Sequence, residues 1–429
     1  MKRALSWGRV AGHEAAHEWW VRDRQASLPD APPGATLLPH GLGRSYGDVA
    51  LNDGGQLLHT RTLDHFIHFD PATGVLRAEA GVSLDEVIDV TLPQGWFLPV
   101  TPGTRFVTLG GAVANDVHGK NHHGAGTFGH HVRALELLRS DGSRRECSDT
   151  QHAEWLEATI GGLGLTGLVT WVELQLVRVR SPLVWTTHRR FASLDEYWEV
   201  DEELGALHEY TVAWVDCLHG GRGIYTAADF AGPAAKPEVV PPAPRRMPLD
   251  PPFSLVNGVT LHAFNALYYH RPLPPQGLAH CLPFFYPLDA ILQWNRMYGR
   301  RGFFQYQCVL PPAAMRSAAA DLFRLVERRG EGSFLAVFKT FGARPPRGLL
   351  SFARPGATLA LDFPNRGAAT ERLFAEMDAI VRDAGGALYP AKDARMPATM
   401  FRSGYPNVER FTRYVDPCFS SSFWRRVTG

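Results

Sequence analysis

The chain of 429 residues carries 44 Lys and Arg against 43 Asp and Glu, a net charge of +1, with 45% apolar and 20% charged side chains. That length exceeds one ordinary core and points to two domains, and the near-neutral balance argues against a nucleic-acid binder working through a broad basic field. Its 42 Gly and 32 Pro are too few for a collagen-like or low-complexity chain.

Just five of the basic residues are Lys, at positions 2, 120, 236, 339 and 392. The cysteines (Cys147, Cys217, Cys281, Cys308, Cys418) are scattered and form no Cys-x-x-Cys. That usage favours a reduced, cytoplasmic protein over a disulfide or zinc framework. The opening MKRALSWG is basic without an apolar h-region, and no run reaches the roughly 18 apolar residues that span a bilayer. The chain therefore reads as soluble, with a peripheral contact at the inner membrane left open.

The first 180 residues are punctuated by glycine and read as short strands alternating with helices. Gly41, Leu42, Gly43, Arg44, Ser45, Tyr46, Gly47 and Asp48 form the first notable loop. Successive small residues let backbone N–H groups converge on an anion, while Ser45 adds a hydroxyl and Arg44 a charge; a plain tight turn is the other reading. Ser83 and Glu86 make a capping box ahead of the apolar stripe Leu84, Val87 and Ile88, and Pro93 helps to end that helix. From position 101, Thr-Pro-Gly-Thr leads into Thr108, Leu109, Gly110 and Gly111, where paired glycines open a small-residue helix suited to a flat ring or diphosphate. Five His follow within 14 positions (His118, His122, His123, His130, His131). With Asp116 the one carboxylate near them, a metal cluster is not expected.

Gly162, Gly164 and Gly167 fit G-x-G-x-x-G literally, but a β-rich stretch over 165–177 follows where a dinucleotide fingerprint needs a helix. Residues 230–257 are Pro-rich and read as a long mobile loop or lid. Strands are expected over 303–310 and 358–363, and helices over 313–329 and 369–384, the last closed by Gly385 and Gly386. On a strand, Gln305 and Gln307 share one face.

Taken together, GLGRSYGD at 41, TPGTRFVTLGGAVANDVHGKNHH at 101, WNRMYG at 294, FQYQ at 304 and LYPAKD at 388 make the chain resemble flavoprotein oxidases of the vanillyl-alcohol-oxidase type. The likeness is strongest to the branch that oxidises the 2′-hydroxyl of a polyprenyl-phosphoryl ribose. The resemblance implies an α+β protein: a PCMH-type FAD-binding domain of two subdomains over 1–182, a cap built on an antiparallel sheet over 183–386, and a returning segment over 387–429. It implies FAD contacts from His40 to Gly47, from Gly103 and Thr108 to Gly111, from Asn115, Asp116, Val117, His118 and Gly119, and from Thr170 and Tyr389. Lys392 would be the cation beside the reduced flavin, and Tyr46 and His118 would handle the substrate proton. Trp214, Phe285, Gln305, Gln307, Lys339, Thr358 and Lys392 would face the substrate.

Many such oxidases tether FAD through a His where this chain has Arg44, so the FAD is expected to be non-covalent. Thr358, Ala360 and Phe285 also depart from the branch, Ala360 standing in place of a Cys, and His40 stands where an Arg is usual. The implied activity is oxidation of a sugar alcohol, lipid-linked or free, to a ketone, as half of an epimerisation completed by a short-chain reductase partner. An alditol or aldonolactone oxidase, a nicotinamide dehydrogenase and a non-catalytic flavin-binding module are the rival readings.

Overall fold

The structure is a computed structural model that describes residues 4–14, 17–30, 34–233 and 243–429. Its fold is mixed α and β. Near the N-terminus, the strands His17–Trp20, Gln56–His59 and Leu37–His40 form a small parallel sheet. Beside it in sequence lies a five-stranded antiparallel sheet in the order Arg144–Ser148, Val132–Leu138, Leu168–Gln175, Val75–Glu79, Phe66–Asp70. The helix Leu84–Thr91 starts at its capping box: Glu86 N–H donates to Ser83 Oγ at 3.2 Å, and Glu86 Oε2 accepts from Ser83 N–H at 2.7 Å. Pro93 does not break the chain outright but sits in a tighter turn, Leu92–Gln94, because it lacks an N–H that such a first turn does not need.

The second half is built on eight antiparallel strands in the order Gln276–His280, Leu183–Phe191, Gly223–Phe230, Tyr210–Val215, Ala336–Phe341, Gly356–Pro364, Phe303–Leu310, Ala387–Leu388. Strand alternation gives this sheet two chemical faces. Phe338, Tyr306 and Phe363 point to the helices Leu194–Gly205, Met315–Arg329 and Ala368–Asp383, where Phe338 meets Trp198 at 5.4 Å and Tyr306 meets Phe374 at 5.3 Å. Gln305, Gln307, Thr358, Lys339 and Trp214 point the other way, into a cavity. The last long helix ends as the paired glycines require: Gly385 has φ +72°, and Gly386 N–H donates to Val381 O at 2.8 Å. After the edge strand Ala387–Leu388 the chain returns to the first sheet, with Leu37 N–H on Cys418 O at 2.7 Å.

Several boundaries differ from expectation. The strand expected over 165–177 is Leu168–Gln175, because Gly167 at φ +140° still belongs to the turn. The helices begin later or earlier by one or two residues, as Met315–Arg329 and Ala368–Asp383. Within the Pro-rich stretch, residues 234–242 of the expected lid lie outside the described residues, and Arg245–Arg246 pairs with Ile291–Leu292 as a short parallel ladder.

Candidate active site

A cavity of about 960 Å³ is lined by residues from both ends of the chain and from the cap sheet. On one side the loop after Leu37–His40 enters it with Gly41, Leu42, Gly43, Arg44, Ser45 and Tyr46. Gly41 packs so closely that a Cβ would stand 2.5 Å from Thr108 Oγ1, and Gly43 adopts φ +63°. The loop is pinned by Trp7 N–H to Ser45 O and Tyr46 N–H to Ala391 O, each 2.9 Å. Arg44 stacks over the Trp7 ring at 4.5 Å, and its Nη1 donates to Leu42 O at 2.6 Å.

The second wall starts at Thr108, whose Oγ1 accepts from Gly111 N–H at 3.1 Å to begin the helix Leu109–Ala114. Gly103, Thr108, Gly110, Gly111, Asn115, Val117, His118 and Gly119 all line the cavity. Tyr389 returns from the C-terminal segment, its hydroxyl donating to Asn115 O at 2.9 Å.

Two observations test whether a bulky polar cofactor suits this wall. Arg44 Nε and Asn115 Oδ1 are buried without a protein partner. A Cβ on Gly103 would meet no atom within 4 Å, so backbone there opens directly on the space. Orphaned polar atoms and bare backbone in one large cavity fit a dinucleotide whose diphosphate and ring supply the missing partners.

Opposite, the cap sheet presents two polar clusters. In the first, Gln305 faces Asp362 across the strand pair and donates to its Oδ1 at 2.6 Å, while Asp362 Oδ2 is buried and unpartnered. Lys392 lies with its Nζ 3.9 Å from the Tyr46 ring centroid. Burial pushes the Asp362 carboxyl up and the Lys392 ammonium down, and each charge partly restores the other. Tyr46 is held well above the ordinary phenol value by burial and by the Asp362 charge.

The second cluster is Gln307, Thr358, His118 and Lys339. Thr358 Oγ1 donates to Cys308 O at 2.9 Å, so it accepts from Gln307 Nε2 at 3.2 Å, which fixes the amide's orientation. The same amide nitrogen then donates to His118 Nε2 at 3.0 Å. A neutral imidazole has one N–H, which these contacts place on Nδ1, 3.1 Å from Lys339 Nζ. Lys339 is thereby required to offer a lone pair there while donating to Gly119 O at 2.6 Å. Burial, aided by Lys120, lowers its ammonium to about 7, in keeping with a free amine. Burial above all holds His118 well below the usual imidazole value.

Six expected contact residues stand elsewhere. Phe285 packs in the core against Tyr210 at 4.8 Å and Phe97 at 5.1 Å, and its neighbour Phe284 takes the place on the cavity wall. Leu109 is core, and Thr170 Oγ1 is turned to Glu136 at 2.6 Å. Asp116, at φ +39°, holds the turn into His118 by accepting from Gly129 N–H at 2.9 Å and Ser351 Oγ at 2.5 Å. His40 meets Ala50 O through Nδ1 at 2.9 Å, and Gly47 packs on the Asp393 backbone. Three of the other four histidines of that run go to backbone carbonyls, His123 to His208 O, His130 to Pro345 O and His131 to Ala125 O, while His122 packs on the Phe341 ring at 4.3 Å; no metal-binding group of three or more forms among the described residues.

Sequence reasoning missed Asp362 and the cavity role of Gly164, whose glycine run serves the cavity and not a dinucleotide helix. A signal for Asp362 existed: Thr358, Ala360 and Asp362 alternate on one strand face. Asp362→Asn is expected to retain FAD and KM while moving the alkaline limb of the turnover profile to lower pH. The sign follows because the Asp362 charge raises the Lys392 value. An unmoved limb would remove Asp362 as a positioning residue.

Comparison with known proteins now gives this cavity its class. Residues 31–148 match the FAD binding domain family, and the chain is an FAD-dependent oxidoreductase. It is 35% identical to decaprenylphosphoryl-beta-D-ribose oxidase of Mycolicibacterium smegmatis over 99% of this chain and 97% of that protein, and it belongs to that oxidase's family. Shorter likenesses are to the L-gulonolactone oxidase of Mus musculus, 30% identical over 32% of this chain and 31% of that one, and to the Delta(24)-sterol reductase of Rattus norvegicus, 27% identical over 26% and 22%.

Proposed function

We propose that the protein oxidises the 2′-hydroxyl of a polyprenyl-phosphoryl ribose to a ketone, which a partner reductase then reduces to complete an epimerisation. The observation that carries this reading is the convergence of a glycine-lined cofactor wall with two lysines, Lys392 and Lys339, on one cavity. FAD, when bound, accepts the hydride from the carbinol carbon. The chain's own task is then to hold the sugar and take the hydroxyl proton. Lys339 is the proton acceptor, because it lines the cavity and burial lowers its ammonium to about 7; its single lone pair leaves His118 Nδ1 for the substrate hydroxyl as the proton moves. His118 orders that amine, Gln305 and Gln307 offer amides to sugar hydroxyls, and Lys392 keeps positive charge at the cofactor wall. Trp214, fixed by its Nε1–H on Phe334 O at 2.9 Å, closes the side of the cavity.

The cofactor loop, from Gly41 to Tyr46, has Arg44 where a tethering His would stand, so FAD is held by contacts alone. Acid precipitation is expected to leave all the yellow colour in the supernatant; colour in the pellet would reject non-covalent binding. Anaerobic titration tests the substrate: a lipid-linked ribose is expected to bleach the flavin much faster than a free alditol or aldonolactone. Equal rates with a soluble sugar would replace the lipid-linked reading.

A further inference from the structure

The helix Gly258–His270 carries its apolar stripe on the wrong side for a globular protein. Asn257 caps it, accepting from Val259 and Thr260 N–H at 3.1 and 3.2 Å. Leu261 and Asn265 face inward, and the Asn265 amide donates to Asp216 Oδ1 at 2.8 Å. Val259, Ala263 and Leu267 fall on the opposite side of the helix, where Val259 is 82% and Leu267 74% exposed. Among the described residues, seven of the fifteen exposed large hydrophobic side chains fall between Leu249 and Ile291. Scattered apolar residues need no explanation, but Val259, Ala263 and Leu267, one turn apart on the outward face of one helix, make a continuous exposed apolar stripe of the kind that marks an interaction surface.

Charge points the same way. Residues 243–301 contain six Arg, no Lys or Glu, and two Asp, in a chain whose total is +1. Neither acid opposes an anionic partner: Asp250 is paired with Arg9 at 2.8 Å, and Asp289 is buried against Arg105 N–H at 2.9 Å. Arg245, Arg246, Arg300 and Arg301 are exposed. The stretch also reaches the cavity, since Phe264 and Ile291 are each 39% exposed and each line it, with Arg246 and Arg271 nearby on the same wall.

We propose that this face docks the enzyme on an anionic lipid bilayer and sets the cavity mouth at the lipid surface. The proposal rests on the lipid-linked substrate reading and gives it a route: the sugar enters the cavity while its tail stays in lipid. Apolar side chains enter the headgroup boundary, and flanking arginines meet the negative surface.

Co-sedimentation of the FAD-loaded protein with vesicles of equal parts phosphatidylglycerol and phosphatidylethanolamine tests this against phosphatidylcholine vesicles. Binding to the anionic vesicles is expected to exceed that to phosphatidylcholine and to weaken with salt. The double variant Val259→Ser/Leu267→Ser is expected to bind them about tenfold less tightly or weaker still. It should also oxidise a short-chain, water-soluble lipid-linked ribose at the wild-type rate. No vesicle binding, equal binding by the variant, or a wild-type dimer that the variant splits would overturn the proposal. If the short-chain substrate bleaches neither protein, the substrate reading fails instead, while the sedimentation result still decides the docking face.

Discussion

Lys392→Met is expected to bind FAD normally yet reduce it with substrate about a hundred to a thousandfold more slowly, the usual cost of removing one preorganised charge from a reaction centre. The Nζ lies on a turn pinned to the cofactor loop by Tyr46 N–H on Ala391 O at 2.9 Å, so its position is set by backbone from both chain ends. Methionine keeps the length and apolar stem and removes the charge, so loss of rate with retained FAD isolates the electrostatic contribution. In the wild type, burial lowers this ammonium to about 8. A group with a depressed value is charged below it, so flavin reduction should fall as pH rises through about 8, and that limb should vanish in the Met variant. Lys392→Arg should not restore the rate, because a planar guanidinium cannot occupy the site of a compact ammonium over the Tyr46 ring. Stopped-flow bleaching across pH measures all three. A Met variant with wild-type rates would take Lys392 out of the mechanism.

Gly47→Ala is expected to destabilise the fold by about 3 kcal/mol and to weaken FAD binding with it. A Cβ there would lie 1.6 Å from Asp393 O and 2.8 Å from Ala394 Cα, both backbone atoms. They cannot yield easily, since the Asp393 carboxylate is held by Met396 N–H at 2.8 Å and by Arg426 Nη2 at 3.0 Å. Gly103→Ala is the contrast. Its Cβ meets no neighbour within 4 Å, so stability should hold while cofactor space is lost. Urea denaturation and FAD titration of both variants separate the two effects. Wild-type stability in Gly47→Ala would show that the two segments are not so tightly joined.

These contrasts also show how far the residues could be read without coordinates. The glycine loops were legible because close backbone approach leaves few other choices of residue, and Gln305 and Gln307 because strand period is fixed. Which glycine faces the cofactor wall and which faces protein was not legible. Gly47 and Gly43 sit four positions apart in one motif, yet Gly43 lines the cavity while Gly47 meets Asp393, a neighbour 346 positions away. Phe285 and Phe284 differ by one position on the short helix Cys281–Phe285, and long-range packing against Phe97 and Tyr210 decided which became core. The tautomer of His118 needed three strands and a loop together, since Gln307 and Lys339 reach it from different parts of the chain and Thr358 orients the Gln307 amide.

The lysines carry a consequence for chemistry done on the protein. Lys120, Lys339 and Lys392 all line the cavity, and positions 2 and 236 are outside the described residues. Every described side-chain amine is therefore interior, and burial draws all three toward the free-base form. Acylation mapped to these three positions would therefore report the interior, with cofactor and substrate acting as shields.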